Sequence, residues 1–422
     1  MISNDNPSSL ELDYEEFEHF SKETNDLTNI RAILNNLDER RTNVLSGGTN
    51  CIPFPFPRLS KEIPGIEQGQ YVLITASAKS GKTQIANFLY VFNALDYAFN
   101  NPGRCSVHIL YFALEESIQR IIERYMSHLL YKLDGIRITP SDLRSTSTDF
   151  PVPQEVLDLL KTPKYRERLE FFENCVEFDT ENTNPTGILR VCENYAKSVG
   201  QYKSHKKKSN GAFSDKEVDV FDSYAQNDPN HYKIVVIDHI GLVDKEQGLK
   251  TKDAIDKMSE YLVKYLRNRY NFTCVVIQQQ ASETEGLEAV KQKKMIPTMT
   301  GLGDSKFTGR DCNLAMGLFD PSKFGQKEWG HYLIQDENGY GLRNYGRFLY
   351  VLANRDGEMG GVGSLFFDGA VCNFEELPKP TDAKIKDYYD KVQKIRQYRA
   401  QRNTAPISAI SLPIFLRMLK KK

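Results

Sequence analysis

The stretch Tyr71-Val72-Leu73-Ile74-Thr75-Ala76-Ser77-Ala78-Lys79-Ser80-Gly81-Lys82-Thr83 joins a continuous apolar run to a short polar loop, and a helical pattern follows from Gln84 to Ala98. The loop, Ala76 to Thr83, has the form of a phosphate-binding loop with one departure: alanine stands first, where the general pattern has glycine. A strand ending at Thr75 and a helix starting near Gly81 supply what phosphate binding requires. Loop amides and a helix N-terminus then converge on one anion. The Lys82 ammonium would reach the β- and γ-phosphates, and the Thr83 hydroxyl would coordinate magnesium. ATP and Mg2+ are therefore the expected cofactors, with Ala76, Ser77, Ala78, Lys79, Ser80, Gly81, Lys82 and Thr83 as the binding residues.

Further along the chain the same grammar repeats. Val107 to Ala113, Tyr232 to Ile240 and Phe272 to Gln278 are apolar runs separated by helical patterns. Continuous rather than alternating apolar runs predict an α/β fold, a mostly parallel central sheet with helices on both faces. In Ile234-Val235-Val236-Ile237-Asp238 a carboxylate ends such a strand, where parallel sheets bind ligands, so Asp238 is a candidate to hold a water on the metal. Glu115, after the strand ending at Ala113, is the candidate to activate an attacking water, with Glu116 in reserve. That role expects the strand to lie beside the phosphate-loop strand; the plainer alternative is a pair of acids opening the next helix. At the end of the fourth run, Gln278-Gln279-Gln280 offers amides to a γ-phosphate or its attacking water, or simply forms a turn.

After Leu314 the pattern changes to short strands, Tyr332 to Gln335, Phe348 to Leu352 and Leu365 to Phe367, broken by glycine-rich turns. These predict a C-terminal antiparallel extension. The expected organisation is an acidic tail and helix over 1–49, an ATPase domain over 50–376 with a polar insertion near 202–229, and a basic helical extension over 377–422. The helix, from Thr28 to about Asn43, puts Ile30, Ile33, Leu34 and Leu37 on one face. In the last segment Lys384, Lys386, Lys394, Arg396, Arg399 and Arg402 precede an apolar tail, Pro413 to Leu419. A formal net charge of -1 gives no whole-molecule field toward nucleic acid, so such contacts must come from local patches. No apolar run approaches the roughly 20 residues that cross a bilayer, so a cytoplasmic location without membrane is expected. The 7 cysteines are dispersed with no close pair, which argues against a zinc knuckle and fits a reducing compartment.

Taken in order, these elements resemble the motor domain of the DnaB family of hexameric replicative helicases, within the RecA-like P-loop NTPase fold. Leu59 with Gly65-Ile66-Glu67-Gln68-Gly69-Gln70 resembles the approach to the family's first core strand, and Ala76 is the residue the family carries at that loop position. Phe112-Ala113-Leu114-Glu115 is similar to its Ser-Leu-Glu element, which implies Glu115 as the catalytic glutamate. Ile237-Asp238-His239-Ile240-Gly241-Leu242 resembles its Walker B segment, and Gln279 its Ser-Gln-Leu glutamine. Gly303-Asp304-Ser305 and Asp311-Cys312-Asn313-Leu314 follow the outline of the next strand. Asn354-Arg355-Asp356-Gly357 resembles the Lys-Asn-Arg-Asn-Gly hairpin, implying Arg355 as an arginine finger. The family's preceding lysine is Ala353 here, for which Arg343 or Arg347 would have to compensate.

The resemblance, over roughly residues 50 to 370, implies a homo-hexameric ring with nucleotide between subunits and single-stranded DNA in the centre. DNA-facing loops would follow Asp238, with Lys245, Lys250 and Lys252, and Gln279, with Lys291, Lys293 and Lys294. Only about 50 residues precede the motor, too few for the family's collar domain, so a compact phage or plasmid member is the expectation, with a primase or loader as possible partner. The helix near Thr28 would pack on an adjacent subunit. The leading reading is an ATP-dependent helicase or translocase. The rivals are a RecA-like recombination mediator or regulatory DNA-binding ATPase, and an adaptor with a residual nucleotide site.

Overall fold

The structure, a computed structural model, describes residues 30–148, 150–208, 217–248, 250–286, 290–291 and 295–402. The acidic segment before residue 30, Lys293, Lys294 and the apolar tail at Pro413 lie outside the described residues. Nine strands form the main sheet: β1 (Tyr71–Ala76), β2 (Ser106–Ala113), β3 (Val176–Asp179), β4 (His231–Asp238), β5 (Thr273–Gln279), β6 (Leu314–Phe319), β7 (Gly346–Asn354), β8 (Val362–Asp368) and β9 (Asn373–Glu376). Their spatial order is β9-β8-β7-β6-β1-β5-β4-β2-β3. The run from β6 to β3 is parallel throughout. Strands β7, β8 and β9 continue it antiparallel; Phe348 to Leu352 and Leu365 to Phe367 fall in β7 and β8, whereas of Tyr332 to Gln335 only Tyr332–Leu333 is strand, and it pairs with Glu328–Trp329 in a separate two-stranded sheet.

Every residue of β1 is buried, which is why the strand reads as an unbroken apolar run. On one face Val72, Ile74 and Tyr111 pack with Ile85, Leu89 and Phe92 from the helical stretch 82–100 and with Tyr125 from helix Ile118–Asp134. On the other, Tyr71 reaches Ser259 of helix Thr251–Tyr261 at 3.3 Å. Under the antiparallel strands lies a separate core of Phe319, Phe348 and Phe366, closed by Ile385, Tyr389, Val392 and Ile395 of helix Ile385–Arg402. Lys384, Lys386, Lys394 and Arg399 stay exposed around that helix.

Two sequence expectations change. The strand ending at Ala113 is not a neighbour of the phosphate-loop strand, because β5 and β4 lie between them. Chain order does not set spatial order in a sheet wound by helical crossovers, and β1 takes β5 and β6 as its partners. The stretch between the runs ending at Ala113 and starting at Tyr232, expected to be helical, also supplies an edge strand, β3, whose four residues are too few to show a pattern.

Contacts divide the chain into a main unit, Cys51–Val199 with Gln226–Lys422, and a second, Met1–Asn50 with Gly200–Ala225. In the second unit, helix Ile30–Leu45 leaves its apolar stripe exposed, with Ile30 at 66%, Leu34 at 56% and Leu37 at 56%. The polar insertion contains a pair of strands, Gly200–Lys208 and Glu217–Gln226. Tyr202 and Phe221 meet across it, tilted at 47° with 5.8 Å between ring centroids. The β-favouring Val218, Val220, Phe221 and Tyr224 are the strand signal that the polar composition conceals.

Candidate functional site

The carboxyl ends of β1, β2 and β4 open on a cleft of about 540 Å³, lined by Lys79, Lys82, Thr83, Glu115, Arg120 and Asp238 among others. Ala76 is the last residue of β1 and pairs in the ladder with Gln279 and Leu318. An extended residue needs no glycine, and this accounts for alanine at the first loop position. The sharp turns fall later, at Lys79 with φ 58° and Gly81 with φ 103°. At Gly81 a Cβ would also come within 3.2 Å of the Phe367 ring, so this glycine answers both to its dihedral and to the close approach of β8.

Thr83 donates its hydroxyl to Asp238 Oδ1 at 3.1 Å. Asp238 is 1% exposed, and burial pushes its carboxyl up to about 6 against the pull of the Thr83 hydrogen bond. The Tyr111 hydroxyl lies 3.3 Å from Asp238 Oδ2 and 3.0 Å from Asn87 Oδ1. A buried carboxylate beside a hydroxyl, reluctant to ionise alone, is a donor set that suits a hard divalent cation, so the residues fit Mg2+.

Glu115 reaches the cleft although β2 lies two strands further from β1 than expected. The Leu114 and Glu115 amides both donate to Asp238 O, at 2.9 and 3.2 Å, and this turns the glutamate over the end of β4. Its Oε2 lies 3.8 Å from Lys82 Nζ and 3.9 Å from His239 Nε2. Glu116 is engaged elsewhere, holding Arg124 through two bonds at 2.5 and 2.7 Å. His239 carried no weight in the sequence reading. Burial lowers its pKa, so it stands neutral beside Glu115, with Nδ1 accepting the Gly241 amide at 3.2 Å.

The three glutamines divide. Gln278 is buried and bonds Ser305 O at 2.7 Å, and Gln280 bonds Thr75 Oγ1 at 3.0 Å, so both brace loops. Gln279, half-buried at the tip of β5, pairs with Ala76 at the start of the phosphate loop. Arg355 lies elsewhere. Its amide donates to Asn313 O at 2.9 Å, and the Asn313 amide donates to Tyr71 O at 2.7 Å, at the opposite end of β1 from the loop. Five residue-to-residue steps from Tyr71 to Ala76 separate those ends, about 17 Å. Arg347 is no spare finger: it is 5% exposed, with Asp320 at 2.9 Å and Ser80 O at 2.9 Å as partners in its own chain.

Comparison with solved structures agrees with this architecture. One solved ATPase domain superposes with a TM-score of 0.58 at 16% identity, over 83% of this chain and 99% of that one. The fold is RecA-like. A DnaB-like replicative helicase, described with its interactions with primase, gives 0.56 at 17% identity over 85% of this chain and 68% of the other. The RadB recombinase aligns at 13% identity with a TM-score of 0.39. No protein-family model matches the sequence, and no curated protein matches it. Within the RecA-like frame, Lys82, Thr83, Glu115 and Asp238 meet in one cleft and Arg355 does not. The Lys245 and Lys250 side chains are exposed beyond β4, and Lys291 is exposed beyond β5. Among the described residues no helix is long and apolar enough to cross a membrane.

Proposed function

We propose that this chain is an ATP-driven motor that moves on single-stranded DNA as a ring of identical subunits, separating strands as it advances. The observation that carries this reading is the split placement of its charges. Lys82, Thr83, Glu115 and Asp238 share one cleft, while Arg355 sits at the far end of the same sheet, beyond reach of its own cleft and exposed, with Nη2 on Arg310 O as its side chain's one hydrogen bond among the described residues.

In this reading the loop amides and Lys82 bind the β- and γ-phosphates, and Thr83 and Asp238 hold Mg2+. The metal, when bound, neutralises charge on the phosphate oxygens. A triphosphate draws Lys82 away from Glu115, freeing that carboxylate to take a proton from the attacking water. Gln279 contacts the γ-phosphate or that water, and its place on β5 links the site to the loop that carries Lys291. Arg355 of an adjacent copy stabilises the transferring phosphoryl group. Of the two arginines that could replace the lysine missing at Ala353, Arg347 is committed within its own chain, which leaves Arg343. The exposed stripe of helix Ile30–Leu45 packs on an adjacent copy.

A forked DNA incubated with the protein, ATP and Mg2+ tests the proposal, with hydrolysis measured in parallel. Strand separation is expected, together with hydrolysis that rises on adding single-stranded DNA and is abolished by Lys82→Ala. DNA-stimulated hydrolysis without separation would move the assignment to a mediator or regulatory ATPase, and hydrolysis indifferent to DNA would remove the DNA motor altogether.

A further inference from the structure

Two cations grip the phosphate loop from outside the cleft. Arg347 enters from β7, donating Nε to Ser80 O at 2.9 Å and Nη1 to Asn344 O and Gly346 O at 2.9 and 2.8 Å, while Nη2 pairs with Asp320 Oδ2 at 2.9 Å. The same carboxylate organises the turn after β6, where its Oδ1 accepts the amides of Ser322 at 3.0 Å and Lys323 at 3.4 Å. From that turn Lys323 Nζ donates to Ala78 O at 2.8 Å. One buried acid thus holds two basic residues, each ending on a carbonyl of the loop, at residues 78 and 80.

Those carbonyls fix the amides that follow them. Across a planar trans peptide the C=O of one residue and the N–H of the next point in opposite directions. With Ala78 O and Ser80 O drawn outward, the N–H groups of Lys79 and Gly81 turn the other way, toward the concave side of the loop. Lys79 and Gly81 are also the two positions where φ is positive, 58° and 103°, the backbone alternation from which anion-binding nests are built.

We propose that Asp320, Arg347 and Lys323 are positioning residues that hold the phosphate loop in its anion-binding shape before nucleotide arrives. This rests on reading residues 76–83 as a nucleotide phosphate site. The grip acts on amides that meet the phosphates ADP and ATP share, so it governs affinity for both nucleotides alike. It leaves their ratio unchanged and acts on KM more than on kcat.

The test measures binding of fluorescent mant-ADP and mant-ATP with Mg2+, and steady-state hydrolysis, in wild type, Lys323→Met, Lys323→Arg and Arg347→Lys, with Lys82→Ala as control. Lys323→Met removes one charge-assisted bond to a carbonyl and is expected to weaken both nucleotides by the same factor, about five- to tenfold. Lys323→Arg, which keeps a donor, is expected to restore most of the affinity. The nucleotide-free thermal midpoint of Lys323→Met should match wild type, since an exposed side chain is removed. Arg347→Lys should weaken both nucleotides further; if it fails to fold, the Lys323 pair decides alone. Wild-type affinity in Lys323→Met, or a loss that Lys323→Arg does not recover, would overturn the inference and leave the nucleotide site standing. Failure of the wild type itself to bind either nucleotide would overturn the reading of the loop.

Discussion

Glu115 lies within 4 Å of both Lys82 and His239, so its carboxylate sits between an ammonium group and a neutral imidazole. Glu115→Gln keeps the shape and the hydrogen bonding but removes the proton acceptor. Triphosphate binding should persist while single-turnover hydrolysis falls by about 10²–10⁴-fold; normal turnover would return Glu115 to the role of a helix-opening acid. A second residue, remote from the cleft, sets a pH limit on the fold. His128 is 2% exposed between Phe88 and Phe92, and its Nδ1 donates to Cys372 O at 3.2 Å. Burial pushes its pKa down to about 3, with the Lys132 charge acting the same way. Between about pH 3 and 6.5 the unfolded chain therefore binds the proton that the folded chain refuses, and stability falls as pH falls through that window. The loss should reach on the order of 4 kcal/mol by pH 3.5, about 1.4 kcal/mol for each unit below the unfolded value. Urea titrations of wild type and His128→Gln from pH 7 to 4 check this: the variant's stability should depend less on pH, and parallel slopes would rule His128 out as the source.

At the scale of elements, the antiparallel strands do more than widen the sheet. β7 delivers Arg347 to the back of the phosphate loop at one end and Arg355 to the opposite end of the sheet. A strand of nine residues, about 30 Å at 3.3 Å each, reaches from one end of the sheet's strands to the other. The proposed sharing of sites between copies makes a specific mixing prediction. Lys82→Ala and Arg355→Ala should each be inactive alone. Mixed at assembly-forming concentrations they should recover part of the activity, because some interfaces then pair an intact cleft with an intact arginine. Hydrolysis by Arg355→Ala alone at the wild-type rate would exclude the shared-site arrangement.

For the whole molecule, a net charge of -1 means that the proposed DNA contact would depend on where the lysines lie rather than how many there are. Single-strand affinity should fall with salt, and replacing Lys245 or Lys250 by Ala should each reduce the slope of log K against log salt by about 0.7. An unchanged slope would take that lysine off the DNA path. The sheet and half of the cleft were legible in the chain itself. Strands buried on both faces must be apolar throughout, as in β1; Lys82 and Thr83 stand out by their local spacing and Asp238 by its place at the end of an apolar strand after that loop, and the structure brings the three into one cleft. Strand order, by contrast, depends on which crossovers pack, and it set β5 and β4 between β1 and β2. The partners of the phosphate loop, Asp320, Lys323 and Arg347, lie more than 200 residues from it and meet it only through the register of β6 and β7. Local chemistry is written in short spacings that sequence alone determined. What holds that chemistry in shape comes from distant strands, and only tertiary packing, which brings their ends together, decided it.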